Sequence, residues 1–360
     1  MARETPSSAS SAASAASASS AAGGAGRRAT IKDVAEAAQV SRSTASRALT
    51  GRGYVAPAVR DRVRKAARTM GYVPDAMARH LRQQASRSIG VLVSDLRNDF
   101  YASLASGVGR QAPERHYTMM LADDNGSPKA EAEAAQAFVE LRVAGVIVTP
   151  VSADVVTYLA GHRIPVIEVD RQFAPGVCDA VVVDNQSAAR EVTADLLALG
   201  HRRIALVIDE MHWTTGRNRH AGYLAAFAEA GVPADDALVV TAGWDVGGAQ
   251  EVARELLALP EPPTAVFAAN NVLAEGVWRA AAELGLEIPG DLSLVAFDDA
   301  PWMSMVRPGV TAVAQDPVAL GQAAVAQLVE RINAPSSPVR TVMLAASVRE
   351  RGSTSPPRHT

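Results

Sequence analysis

Residues 30–50 read TIKDVAEAAQVSRSTASRALT, and this stretch decides how the first part of the chain folds. Val34, Ala35, Ala38, Val40, Ala45, Ala48 and Leu49 recur at helical spacing, which predicts two short amphipathic helices. Thr30, with Asp33 three residues on, has the chemistry of a capping arrangement for the first helix, and Ser41 can cap the second. Ala35 and Ala45 are small enough to let the helices cross closely. The opposite face of the second helix is left to Arg42, Ser43, Ser46 and Arg47. Short hydroxyls and guanidiniums suit base edges and phosphates in a major groove, so the expected unit is a helix-turn-helix occupying residues 29–74.

Outward from that unit, Val59, Val63, Ala66, Ala67 and Met70 give the spacing of a third helix with Tyr72 packed behind it and its arginines turned to phosphate. Residues 75–87 form a polar, arginine-rich connector whose helical pattern is too short to persist alone, so it is expected to order only on its target. Residues 1–28 are almost all Ala, Ser and Gly, with too little apolar bulk to offset ordering entropy; a disordered tail is expected. Residues 1–88 hold 15 Lys and Arg against 5 Asp and Glu, a net +10, which leaves −13 for the remainder of a chain whose total is −3. A basic end on an acidic body points to a polyanion partner for that end.

From Ser88 the texture changes to short β-rich runs alternating with Ala/Leu-rich helical patterns: 89–93, 118–122, 145–149, 166–169, 180–183, 204–208, 237–240, 265–268 and 292–297. Continuous apolar runs separated by helices imply parallel strands buried on both faces. The fold class is therefore α/β: a helical head, then a doubly wound parallel-sheet domain over residues 88–351. Nine runs are too many for one small sheet, and the polar stretch 184–186 falls midway, so two lobes flanking a cleft are expected, with a disordered tail over 352–360. The single cysteine, Cys178, precludes an internal disulfide and any thiolate zinc set. No apolar run is long enough to span a bilayer and no secretory segment opens the chain, which predicts a cytoplasmic protein without a membrane partner.

In open α/β sheets ligands collect beyond the C-terminal strand ends. There the sequence puts Asp95 and Phe100 after the first run, Asp170 and Arg171 after the fourth, and Asn270 and Asp298 after later ones; Arg219 opens a helix and Trp244 lies in a loop. Acids and amides accept from adjacent hydroxyls, a guanidinium donates to two at once, and an aromatic face covers the C–H side of a ring, so the set suits a polyol. For Trp244 an ordinary buried aromatic is the alternative, and for Arg219 and Asp298 an ion pair tying the lobes together.

Several motifs in order carry a resemblance. Asp33-Val-Ala-Glu-Ala-Ala38, then Val40-Ser-x-x-Thr-x-Ser-Arg47, Gly71-Tyr-x-Pro74 and Ala78-Arg-x-Leu81 resemble the head of the LacI/GalR family of bacterial transcription regulators. Gly200-His-Arg-Arg-Ile204, Arg219-His-Ala-Gly-Tyr223, Ala268-Ala-Asn-Asn271, Ile288-Pro-Gly-Asp-Leu-Ser293 and Phe297-Asp-Asp299 are similar to that family's effector domain, whose fold resembles periplasmic sugar-binding proteins. The resemblance implies a homodimer on double-stranded operator DNA, a regulator and most often a repressor, controlled by a small-molecule effector in the cleft, commonly a carbohydrate, with no cofactor. It makes Arg42 and Ser43 the base-reading pair, Arg47 a further groove contact, and Thr44 and Ser46 phosphate contacts. It makes residues 75–82 a hinge helix that pairs with its dimer mate, with Ala78 at the crossing and Leu81 wedged into the minor groove; the alternative for Leu81 is an anchor of the linker to the body. Gln39, Thr50, Asp75 and Asn271 depart from the residues frequent at those positions.

Two other classes are weighed. An enzyme would need a motif that is missing: Gly107-Val-Gly-Arg-Gln-Ala112 spells a dinucleotide-binding pattern but lies inside a helical stretch, no nucleophile elbow or phosphate-loop lysine is present, and the histidines lack ligand spacing. His201 follows a helix-ending Gly200, where a C-cap role is expected. A free solute-binding protein would need an export signal and no basic head. Within the regulator class, a nucleobase or other non-sugar effector is the alternative to a sugar.

Overall fold

The computed structural model describes residues 29–51, 53–72 and 86–358. The connector assigned to 75–87 lies outside the described residues except for 86–87, as do residues 1–28. The chain divides into two units, a head and a body.

The head is three helices, α1 (Ile31–Ala37), α2 (Arg42–Thr50) and α3 (Pro57–Thr69). Thr30 and Asp33 form the capping box, each side chain accepting from the other's backbone N–H, and Ser41 Oγ accepts from Thr44 N at 3.1 Å. Gln39 turns the chain between α1 and α2 with φ 51°, a left-handed conformation that an L side chain tolerates at a cost of about 1 kcal/mol. Val34, Ala35, Ala38, Ala45, Ala48, Val55, Val63 and Ala67 make the core, with Tyr72 against it. Met70 is a correction: it stands just past the end of α3 and is 38% exposed. Arg62 is exposed, and its Nε donates to the Ala38 carbonyl at 2.9 Å, tying α3 to the end of α1.

Among the described residues the body contains twelve strands, three more than the apolar runs show. Lobe 1 is a six-stranded parallel sheet of order β11-β5-β4-β3-β1-β2, built from β1 (Ser88–Val93), β2 (Thr118–Asp123), β3 (Val146–Val148), β4 (Val166–Val169), β5 (Asp179–Val183) and β11 (Thr341–Leu344). Lobe 2 has order β12-β10-β9-β8-β6-β7, from β6 (Ile204–Ile208), β7 (Val239–Thr241), β8 (Ala265–Ala268), β9 (Ser293–Phe297), β10 (Thr311–Ala314) and an antiparallel β12 (Ser347–Arg349). Strands β11 and β12 escape the sequence reading because they are edge strands whose residues alternate between exposed and half-buried. The run at 237–240 begins as a 3₁₀ turn, Asp236–Leu238, before β7.

Helices α4 (Asp99–Glu114), α5 (Pro128–Glu140), α6 (Asp154–Gly161) and α12 (Pro317–Asn333) cover lobe 1. Helices α7 (Asn185–Ala198), α8 (Thr214–Glu229), α9 (Val246–Leu257), α10 (Asn271–Glu283) and the short α11 (Pro301–Met305) belong to lobe 2. The chain crosses between lobes near residue 184, as expected, and twice more, at 315–316 and 345–346. The glycine pattern at 107–112 lies within α4, where a side chain on Gly107 would collide with the Val318 carbonyl and one on Gly321 with that of Leu104. Those glycines let α4 and α12 touch backbone to backbone.

The segment after Arg351 is not a loose tail through residue 358. Ser353 is fully buried, donating to the Leu294 carbonyl and accepting from Thr311 N, and Arg358 pairs with Asp291 and Glu287. His201 is part of this clasp: its imidazole bridges Thr264 Oγ1 at 2.8 Å and the Ser355 carbonyl at 2.9 Å. The cap of α7 is made by backbone N–H groups and by Arg202: Gly200 is left-handed, Gly200 and His201 N–H donate to the Leu197 and Leu196 carbonyls, and the Arg202 guanidinium donates to the Leu197 carbonyl at 3.0 Å.

Candidate functional site

A small cavity of about 30 Å³ lies where strand ends of the two lobes meet. Lobe 1 contributes Asn98, Phe100, Tyr101, Asp170 and Arg171; lobe 2 contributes Asp209, Trp213, Thr215, Arg219, Asn270 and Asp298. Six of the eight residues read from strand ends and motifs are thus brought together: Phe100, Asp170, Arg171, Arg219, Asn270 and Asp298.

Asp170 and Asp298 end β4 and β9 with φ 71° and 66°, left-handed conformations that let each chain turn immediately at the strand end. Burial pushes the Asp170 carboxyl up to about 6 against the opposing pull of Arg171. Burial likewise raises Asp298, opposed by Arg219 and by the amide of Gln315, which donates to its Oδ1.

Arg171 is 1% exposed and spans the lobes, stacked 3.9 Å from the ring centroid of Trp213. One terminal nitrogen donates to Ser94 Oγ and to Tyr101 Oη at 2.9 Å, whereas Nε and Nη1 are buried without a hydrogen bond, Nε lying 3.9 Å from Asp170 Oδ2. Guanidinium donors left unsatisfied beside a cavity can donate to a ligand oxygen. Arg219, over the Phe297 ring at 3.6 Å, donates from Nε to Asn185 Oδ1 at 2.8 Å and from Nη1 to the Ala269 carbonyl. It stands on the same lobe as Asp298, so a bond between them would not tie the lobes together. Asn270 caps α10 through Leu273 N at 2.9 Å and donates to Asp209 Oδ2 at 3.2 Å.

Two residues lie elsewhere. Asp95 is half-buried outside the cavity lining and is gripped by Arg97, with Nε at 2.9 Å and a terminal nitrogen at 3.1 Å. Trp244 lies outside the cavity lining; its ring lies against Gly126 on the opposite lobe, a position that any side chain on Gly126 would block. Besides that contact, the lobes are joined by reciprocal amide bonds between Asn98 and Asn271, at 3.3 and 3.0 Å, and by Gln172 N donating to Thr214 Oγ1 at 2.9 Å. Asp209 directly follows β6, so the strand-end rule could have found it. Asn98, Tyr101, Trp213 and Thr215 carry no comparable signal.

In the head, Arg42, Ser43 and Arg47 are exposed along α2, and Ser46 is half-buried. The hydroxyls of Ser43 and Thr44 gather on Ser41 Oγ at 2.9 and 2.8 Å, which fixes the start of the helix. Ala78 and Leu81 lie outside the described residues. No helix among the described residues is long and apolar enough to cross a membrane.

Comparison with known proteins matches both units. Residues 30–75 match the signature described as bacterial regulatory proteins, lacI family, and residues 193–354 match that of the periplasmic binding protein-like domain. The ribose operon repressor of Escherichia coli (strain K12) is 31% identical over 328 residues, 90% of this chain and 99% of that protein. Among solved structures, a LacI family regulator from Enterococcus faecium with bound ribose is 29% identical, with a TM-score of 0.67 over 75% of this chain and 99% of its own. The lac repressor dimer bound to operator and the anti-inducer ONPF is 25% identical, with a TM-score of 0.81 over 91% of this chain and 100% of its own. A helix-turn-helix head and a two-lobed ligand-binding body in one chain, with these relatives along nearly its whole length, make this protein a DNA-binding transcription regulator belonging to the LacI family.

Proposed function

We propose that the protein is a cytoplasmic dimeric repressor, without catalytic activity or cofactor, whose hold on duplex operator DNA is set by a free aldopentose in the cavity, D-ribose being the first candidate. Arg42 and Ser43 read bases, Arg47 adds a groove contact, and Thr44 and Ser46 hold phosphate; Ala78 and Leu81 complete the operator contact. The head occupies 29–74, and the ligand-binding and dimerisation domain runs from 88 to the end of the packed segment at 358.

The observation that carries this reading is the convergence of three buried carboxylates, Asp170, Asp209 and Asp298, with the two buried guanidiniums of Arg171 and Arg219 around one small cavity. Hydroxyls donate to the carboxylates and accept from the free N–H groups of Arg171, while Phe100 and Trp213 supply apolar walls. More carboxylates than guanidiniums, with Arg219 already donating twice, disfavours a phosphorylated sugar. The ribose named with the Escherichia coli and Enterococcus faecium relatives supports the same ligand class.

The test is titration calorimetry of the full chain with D-ribose, ribose 5-phosphate and nucleobases, paired with operator affinity in the presence and absence of whichever binds. D-ribose is expected to bind and the phosphate ester not. Binding of a nucleobase or the phosphate ester in place of ribose would overturn the assignment, and the sign of the operator effect separates inducer from co-repressor.

A further inference from the structure

Strand β4 contains an acid where aliphatic residues would suffice. Val166, Ile167 and Val169 are aliphatic and buried, yet between them stands Glu168, fully buried as well. By strand alternation Glu168 shares a face with Val166, which belongs to the lobe 1 cluster of Leu92, Phe138 and Val148. A carboxylate in such a place is costly unless something there needs an acceptor.

Something does. The chain leaves β4 through Asp170 and Arg171 and then folds back, so that Glu168 Oε1 accepts from Phe173 N at 2.8 Å and from Ala174 N at 3.3 Å. Two backbone donors of the returning loop are thereby satisfied by one side chain. Oε2 is buried without a hydrogen bond, and burial raises the carboxyl despite those two bonds and the neighbouring Cys178 side chain, which oppose the rise. On the other side the same loop is pinned to lobe 2 by Gln172 N on Thr214 Oγ1 at 2.9 Å. The loop carrying two site residues, Asp170 and Arg171, is therefore held from beneath by Glu168 and from across the cleft by Thr214.

We propose that Glu168 is a positioning residue for the effector site: by accepting from Phe173 and Ala174 it holds loop 170–174 so that Asp170 and Arg171 meet a ligand in fixed geometry. Glu168 touches no ligand itself. The inference deepens the sugar-effector reading, since a site of this kind gains affinity from side chains whose supporting shell is rigid.

The experiment uses the full chain and two substitutions. Glu168→Gln keeps an amide carbonyl where Oε1 accepts, whereas Glu168→Leu keeps bulk and removes the acceptor. Hydrogen exchange of loop 170–174, measured without any ligand, is expected to quicken about tenfold in Glu168→Leu and to stay near wild type in Glu168→Gln, the size expected for loss of two ordinary hydrogen bonds. D-ribose affinity is expected to fall roughly tenfold in the leucine variant and to be restored by glutamine. Unchanged loop exchange in Glu168→Leu overturns the proposal, as does equal damage by both substitutions to exchange or affinity. If neither wild type nor variants bind D-ribose but the exchange difference appears, the loop-holding role stands and the sugar reading fails. If Glu168→Leu does not fold, Glu168→Gln and Thr214→Val decide: the former must leave the loop protected, and protection lost in it overturns the proposal, while Thr214→Val reports the other anchor alone.

Discussion

The head and the body solve recognition in opposite ways. Among the described residues the head buries eight apolar residues, five of them alanines, and leaves the candidate DNA contacts Arg42, Ser43 and Arg47 exposed along α2. The body buries most of its candidate ligand contacts, and they come from positions as far apart as Phe100 and Asp298. Exposed charges need no compensation, so a short helix with a modest core suffices to present them to DNA. Buried charges must be matched by partners at fixed distances, which takes two sheets and the loops between them. DNA reading can therefore be changed by local substitution with little effect on folding, whereas ligand sensing is bound up with the stability of the body.

The largest effects that probe this contrast lie in the cavity. Arg219→Ala and Asp298→Ala each delete a buried, charge-assisted contact, worth roughly 1.5–3 kcal/mol, or about 10- to 150-fold in effector affinity. Operator affinity without effector should stay near wild type, measured by fluorescence anisotropy with and without D-ribose. Loss of operator binding in the unliganded variants would show that these residues hold the body together instead. In the head, exchanging Arg42 and Ser43 for other residues should redirect base preference by about 1–3 kcal/mol per contacted base pair while the melting temperature is unchanged. A randomised-site selection that returns the wild-type sequence would remove both from the readout.

A pH experiment sharpens the cost of burial. The Asp170 carboxyl titrates near 6 in the folded protein against an ordinary 3.8, so folding favours its neutral form. The stability that form contributes is complete below about 3.8 and is lost as pH rises through 6. Asp170→Asn should therefore flatten the fall in unliganded stability between pH 5 and pH 7 by on the order of 1–2 kcal/mol, followed by urea denaturation at each pH. An identical pH profile in the variant would mean that Asp170 is ionised throughout. The smallest effect belongs to the head: Ala56 precedes Pro57 at the start of α3 and makes no side-chain cap. Ala56→Ser should supply one and stabilise the head by about 0.5–1 kcal/mol, read as two- to fivefold slower exchange of the α3 amides.

What could be read from residues alone follows the same division. The head's core, both helix caps and the exposed face of α2 were legible because each depends on neighbours within one or two turns. In the body, Asp170, Arg171, Asn270 and Asp298 were legible because strand ends are marked by the close of an apolar run. Trp244 and Trp213 were not distinguishable as cavity-lining residues: both sit in polar loops after strands of lobe 2, yet Trp213 stacks on Arg171 and Trp244 rests on Gly126. Asp95 has the right position and the wrong partner, Arg97 two residues on.

By itself the amino-acid sequence determined the two-unit plan, the α/β class of the body, the helix-turn-helix and the family, because periodicity, capping and ordered motifs are local properties of the chain. Only the tertiary structure decided which polar side chains share a cavity, that residues 341–344 return to lobe 1 while 347–358 clasp lobe 2, and that Glu168 serves a loop instead of the strand core. Those outcomes depend on distances between segments that are remote in sequence. Such distances are set by the packing of both sheets at once, and no window of neighbouring residues contains them.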